Sequence, residues 1–65
     1  MYTSQVVVYR HGGLVVTSYG HGAAYQIEDT VSGRSVFLQD AESVGEVEEA
    51  LDLGFSSPLY DYLGE

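Results

Sequence analysis

Two histidines, His11 and His21, and a run of carboxylates in the C-terminal half are the groups in this chain that could do acid–base or metal chemistry. Imidazole is the usual general base and metal ligand near neutral pH. Each ring, however, sits between a tyrosine and a glycine, in Tyr9-Arg10-His11-Gly12 and Tyr19-Gly20-His21-Gly22, which reads as two similar exits from strand to turn. Six residues of extended chain between them, at about 3.3 Å each, would hold the rings about 20 Å apart. No shared metal site is expected. Nucleophilic catalysis needs Ser or Cys beside a base that a third group orients. The chain has no cysteine, no serine in a G-x-S-x-G turn, and no glycine spacing that would cradle a phosphate ahead of a helix. Paired carboxylates can act as acid and base only in a cleft that separates their pKa values, whereas Glu42, Glu46 and Glu49 fall on the expected solvent face of a helix. The reading is a non-enzyme without cofactor or metal.

The elements that position these groups follow from periodicity. Residues 2–10, Leu14 to Tyr19, Ala23 to Glu28 and Arg34 to Gln39 are rich in Val and Tyr or alternate apolar with polar residues, and glycine-containing breaks separate them. Connections this short join antiparallel neighbours, so a four-stranded meander is expected. The period then lengthens to about 3.6. Ala41, Val44, Val47 and Leu51 share one helical face with Ala50 beside them, and Glu42, Glu46, Glu49 and Asp52 lie opposite. Asp40 and Ser43 compete as N-cap, Ser43 with Glu46 completing a capping box; Asp40 is preferred because it keeps Ala41 on the buried stripe. Gly54 closes the helix in the left-handed conformation, with Phe55 folding back on Ala50 or Leu51. Ser57-Pro58 then offers a cap and first-turn proline for a short C-terminal helix docked through Leu59 and Leu63. The fold expected is α+β: a four-stranded antiparallel sheet, one helix packed on a face, and a short C-terminal helical turn, forming one domain over residues 1–65.

Charge is the most unequal property of the chain. Asp40, Glu42, Glu46, Glu48, Glu49, Asp52, Asp61 and Glu65 follow residue 39 with no Lys or Arg among them, while Glu28 and Asp29 balance Arg10 and Arg34 before it, for a net charge of −8. Such a field repels phosphates, so direct binding to nucleic acid or to an anionic bilayer is not expected, and the natural partner is basic. An apolar fraction of 45% with six tyrosines argues for a folded domain rather than an acidic tail. No apolar run approaches the roughly 20 residues of a membrane span, and no basic stretch precedes the Val6-Val7-Val8 run, so a soluble, cytoplasmic protein is expected.

The acidic helix is costly. Glu42/Glu46 and Glu48/Asp52 are like-charge pairs four apart, and Glu46/Glu49 and Glu49/Asp52 three apart, together costing about 1–2 kcal/mol. A domain of this size holds only about 3–5 kcal/mol. Three explanations compete: an ordinary solvated face, adaptation to high salt, where the Debye length is about 3 Å at 1 M, and a binding face for a Lys/Arg-lined groove that otherwise holds nucleic acid. A basic groove reads position and charge on a backbone rather than base identity, so a row of carboxylates one turn apart can stand in for phosphates.

On its small size, its charge imbalance and the carboxylates Glu42, Glu46, Glu48, Glu49 and Asp52, the chain resembles the small acidic inhibitors encoded by phages and other mobile elements. These are in particular anti-CRISPR proteins acting on type I effector complexes, and DNA mimics more broadly. The resemblance implies an inhibitor in the host cytoplasm that binds a DNA-contacting subunit of such a complex and keeps target DNA out. The nearly neutral first 39 residues favour a local block over mimicry of a whole duplex. The expected contact residues are Glu42, Glu46, Glu48, Glu49, Asp52, Asp61 and Tyr62, with Tyr60 either beside them or in the core.

A second surface comes from strict alternation. If Val6, Val8, Leu14, Val16, Ile27, Val36 and Leu38 face the helix, then Val7, Tyr9, Val15, Tyr19 and Phe37 lie on the other side of the sheet, which is unusually apolar for a wet face. That side is a candidate interface, so the chain is expected to be a monomer or a weak homodimer. The alternative function is a structural or assembly module that dimerises through its sheet.

Overall fold

Alternation and turn chemistry produce β1 (Gln5–His11), β2 (Leu14–Tyr19), β3 (Ala24–Asp29) and β4 (Ser35–Leu38), joined as one antiparallel sheet in the order β1-β2-β3-β4. The computed structural model describes residues 4–64; the part of the expected first strand at residues 2 and 3 lies outside them. Gly12 (φ 57°) and Gly13 (φ 88°) supply the consecutive positive φ values of the β1–β2 turn. Gly13 is required twice over, because a Cβ there would lie 2.8 Å from Val31 Cγ2 and 3.3 Å from Thr30 Oγ1. The approach is close because the Gly13 carbonyl accepts from Thr30 N at 2.9 Å and from Thr30 Oγ1 at 2.7 Å, joining the first turn to the third. The third turn is itself held by the Asp29 carboxylate, which accepts from Val31 N (2.9 Å) and Ser32 N (3.3 Å).

The pairing of β1 with β2 slips by one residue between Val7 and Tyr9, leaving Val8 as a bulge. Each strand residue changes face relative to its neighbours, so the extra residue reverses the parity of everything after it. Tyr9 therefore pairs with Val16, shares its helix-facing side and packs against the core. The expectation that Tyr9 lies on the opposite face is corrected. Val6 and Val8, expected in the core, are exposed. Both helices pack on β3 and α2 reaches β4, at the far side of the sheet from edge strand β1.

Helix α1 spans Ala41–Leu53, with Asp40 as N-cap accepting from Ser43 N at 2.9 Å. Gly54 (φ 78°) terminates it, and Phe55 N donates to Ala50 O at 3.0 Å, the six-residue bond of a Schellman motif. Ala41 is exposed rather than buried; one methyl removes little area from water, and the stripe that meets the sheet begins at Val44. Helix α2 spans Ser57–Leu63. Its cap position is Ser56, which makes no side-chain cap hydrogen bond, so Ser57 is the first helical residue and not the cap. Leu59 and Leu63 are buried with Leu14, Val16, Tyr25, Ile27, Leu38, Val44, Val47 and Ala50, and Val36, Leu51, Tyr60 and Tyr62 pack around this cluster. Among the described residues no helix is long and apolar enough to cross a membrane.

Gly13→Ala should combine left-handed strain with a clash and cost about 2–4 kcal/mol. Gly33→Ala, at φ 82° with nothing within 4 Å of its Cβ, should cost about 1–2 kcal/mol from strain alone. Urea unfolding followed by circular dichroism separates the two. Equal losses would mean that the Gly13–Val31 approach contributes nothing.

Candidate functional site

Burial of Val44, Val47 and Ala50 fixes the rotation of α1 and turns Glu42, Glu46, Glu48, Glu49 and Asp52 toward solvent, all five exposed. The five are not equivalent. Glu46 and Glu48 flank the buried stripe on opposite sides, and each is held by a tyrosine. Tyr25 of β3 donates its phenol to Glu48 Oε2 at 3.1 Å, and Tyr62 of α2 donates to Glu46 Oε2. Gly22, in the β2–β3 turn, permits the first of these, since a Cβ there would lie 3.3 Å from Glu48 Oε2. Glu42, Glu49 and Asp52 occupy the middle of the solvent face. The outward ridge is therefore three carboxylates, with a tethered one on each flank.

Tyr62, expected to border the acidic row, does so through its bond to Glu46, while Tyr60 is half-buried against the core. Asp61 is exposed on α2. Neither arginine serves the ridge. Arg34 Nη1 donates to Gly64 O at 3.0 Å and Leu63 O at 3.4 Å, placing a cation at the C-terminus of α2, where the helix dipole favours one. Arg10 is exposed on β1, the strand farthest from β4.

On the other side of the sheet, Val7, Thr17, Gln26 and Phe37 fall in one cross-strand row. Val7 and Phe37 are exposed, Val15 and Tyr19 half-buried. The Tyr19 ring meets Phe37 edge-on with centroids 5.4 Å apart, and its hydroxyl donates to Gln26 Oε1 at 2.8 Å. Four of the five residues expected on this surface are thus together, without Tyr9. The histidines stand at opposite ends of β2: His11 ends β1, and His21, at φ 58°, shares a 2.9 Å hydrogen bond with Ser4 Oγ. Among the described residues no three side chains of His, Cys, Asp or Glu converge to hold a metal.

The sequence reading missed two features of the ridge. Gly45 is exposed in the middle of α1, and a Cβ there would meet nothing within 4 Å. Its signal was available as a glycine inside a helical repeat, which lowers stability by about 0.5–1 kcal/mol relative to Ala. The second is an open groove of about 350 Å³ lined by Glu46, Glu49, Ala50, Leu53, Phe55 and Pro58. Leu53 lies on the solvent side of α1, so no periodic pattern marked it as an apolar wall.

Asp40, Tyr25 and Tyr62 make stability pH-dependent. Asp40 is held below the usual carboxylate range chiefly by the Ser43 backbone N–H, with help from the Ser43 hydroxyl. Tyr25 is raised above its ordinary value by burial and by its bond to Glu48, and Tyr62 by its bond to Glu46 and then by burial. The depressed Asp40 contributes above the unfolded carboxylate value of about 3.9 and loses that contribution as pH falls through its lower folded value. The raised tyrosines contribute fully below about pH 10 and lose it as pH rises through their folded values. Thermal unfolding across pH should show Asp40→Asn blunting the acid limb. Tyr25→Phe should blunt the alkaline limb while costing about 0.5–1.5 kcal/mol at neutral pH. An alkaline limb unchanged in Tyr25→Phe would remove the phenol–carboxylate bond from this account.

Comparison of the chain with protein-family models, with curated proteins and with solved structures found no match in any of the three.

Proposed function

We propose that this chain is a non-enzymatic inhibitor that occupies a basic, nucleic-acid-binding surface of another protein, and that its target is a DNA-contacting subunit of a type I CRISPR effector complex. The observation that carries the reading is the solvent face of α1. Glu42, Glu49 and Asp52 are exposed there without a hydrogen-bonding partner among the described residues, and both arginines lie elsewhere. The helix dipole favours Glu42 in the first turn, but among the described residues no cation offsets the self-repulsion at Glu49 and Asp52. A Lys/Arg-lined groove would supply one, with long-range attraction speeding association and making it salt-sensitive.

Gly45 supports the same reading. It weakens the helix, and among the described residues a Cβ there would meet nothing within 4 Å, yet it leaves the ridge low between Glu42 and Glu49, where a partner's backbone can come close. The tethering of Glu46 and Glu48 makes the three central carboxylates the cleaner probes. The double variant Glu42→Lys, Glu49→Lys should be as stable as the parent or slightly more so, because repulsive pairs worth about 0.2–0.5 kcal/mol each become attractive. Its ability to displace DNA from the target complex in a gel-shift competition should fall by more than about tenfold. Gly45→Gln should likewise stabilise the helix while weakening the competition. Full competition by both variants would discard the ridge as the contact.

The exposed Val7 and Phe37 favour a second reading, a module that pairs through the outer sheet face. Sedimentation of the parent and of Phe37→Ser distinguishes it: a dimer that dissociates on substitution supports this reading, and a monomeric parent removes it.

A further inference from the structure

The ridge ends in a feature that nucleic acid does not have. Beyond Glu46 and Glu49, the surface of α1 runs into an open apolar groove floored by Ala50 and walled by Leu53, Phe55 and Pro58. Leu53 and Phe55 are 55% and 58% exposed, although the core of the chain lies one helical turn away. Their position is fixed by backbone chemistry. The left-handed Gly54 and the Phe55 N–H to Ala50 O bond turn the chain sharply, and the exposed Leu53 and Phe55 share one depression with the half-buried Pro58 in the first turn of α2. The rim toward the middle of α1 is anionic at two positions three residues apart.

We infer that this groove receives a basic amphipathic helix of the partner protein, which inserts one large apolar side chain between Leu53, Phe55 and Pro58 and sets Lys or Arg against Glu46 and Glu49. Charge complementarity chooses this occupant. A second copy of the chain would bring its own acidic half to an acidic rim, and a small-molecule site would carry convergent polar groups around an enclosed pocket, whereas here, among the described residues, the charged lining is the pair of carboxylates on one side. The inference rests on the proposed function and adds to it the chemistry of the partner. Electrostatics alone would draw the ridge to any basic surface, and the groove selects one that presents an apolar anchor among its cations.

The test uses two fluorescein-labelled synthetic peptides of equal length and charge, one a lysine-rich helix with leucines on one face and the other with those leucines replaced by serine. Anisotropy titration should show the amphipathic peptide binding at least about tenfold tighter. The double variant Leu53→Ser, Phe55→Ser should lose that preference while keeping its weak, salt-sensitive binding to the serine peptide. Both side chains are exposed, so the fold should survive; circular dichroism checks this, and Phe55→Ala serves as a milder variant. Equal binding of the two peptides, or a preference unchanged in a folded variant, would overturn the groove while leaving the acidic ridge intact. Self-association of the parent that disappears in the variant would assign the groove to a second copy and overturn the inference as well. Failure of the ridge would appear differently, as unchanged DNA competition in Glu42→Lys, Glu49→Lys.

Discussion

Helix α1 has one stripe to bury, Val44, Val47 and Ala50, and it buries that stripe against β3 and α2. In a chain of this length, which hides only roughly 60% of the surface its unfolded form exposes, that contact sets the orientation of everything on the helix. Once the valines are inside, the carboxylates are outside, and five of the chain's ten acidic residues lie along 13 residues of helix. The burial therefore tolerates a cost of about 1–2 kcal/mol in like-charge repulsion. Reversing the helix about its axis would expose the valines and bury unpaired charge, a far larger penalty.

Tyrosine moderates that cost at the edges of the stripe. Tyr25 and Tyr62 approach α1 from the sheet and from α2, and each presents a neutral donor to a carboxylate that would otherwise face a like charge one turn away. A phenol gives a hydrogen bond without bringing a countercharge, so the negative field survives while the flanking side chains are fixed. A cation in that role would weaken the field, and at Tyr25, which is buried in the core, it would also cost packing and desolvation. The use of Arg34 at the end of α2, away from the ridge, has the same consequence.

The first half of the chain does a different job. Its turns are bonded to each other through Gly13 and Thr30, and its edge strand is bent by the Val8 bulge. Bulges and twisted edges limit pairing with other chains. A neutral, interlocked sheet thus carries an acidic helix, and Val7 with Phe37 makes the outer sheet face a second apolar surface in addition to the groove.

Local chemistry determined much of this directly. The four strands, the Asp40 cap, the Gly54 stop and the apolar spacing of Leu59 and Leu63 all follow from interactions or periods within a few positions, and these are written in the sequence. What spans the fold left no such mark. One inserted residue at Val8 moved Tyr9 to the core side, because parity depends on the partner strand and not on the strand alone. The tethering of Glu48 joins residues 23 positions apart, and the groove at Leu53, Phe55 and Pro58 exists only because two helices meet at an angle set by Gly54. Composition and period decided which face is acidic; only the packing of sheet and helices decided which of those carboxylates are held and where an apolar wall stands beside them.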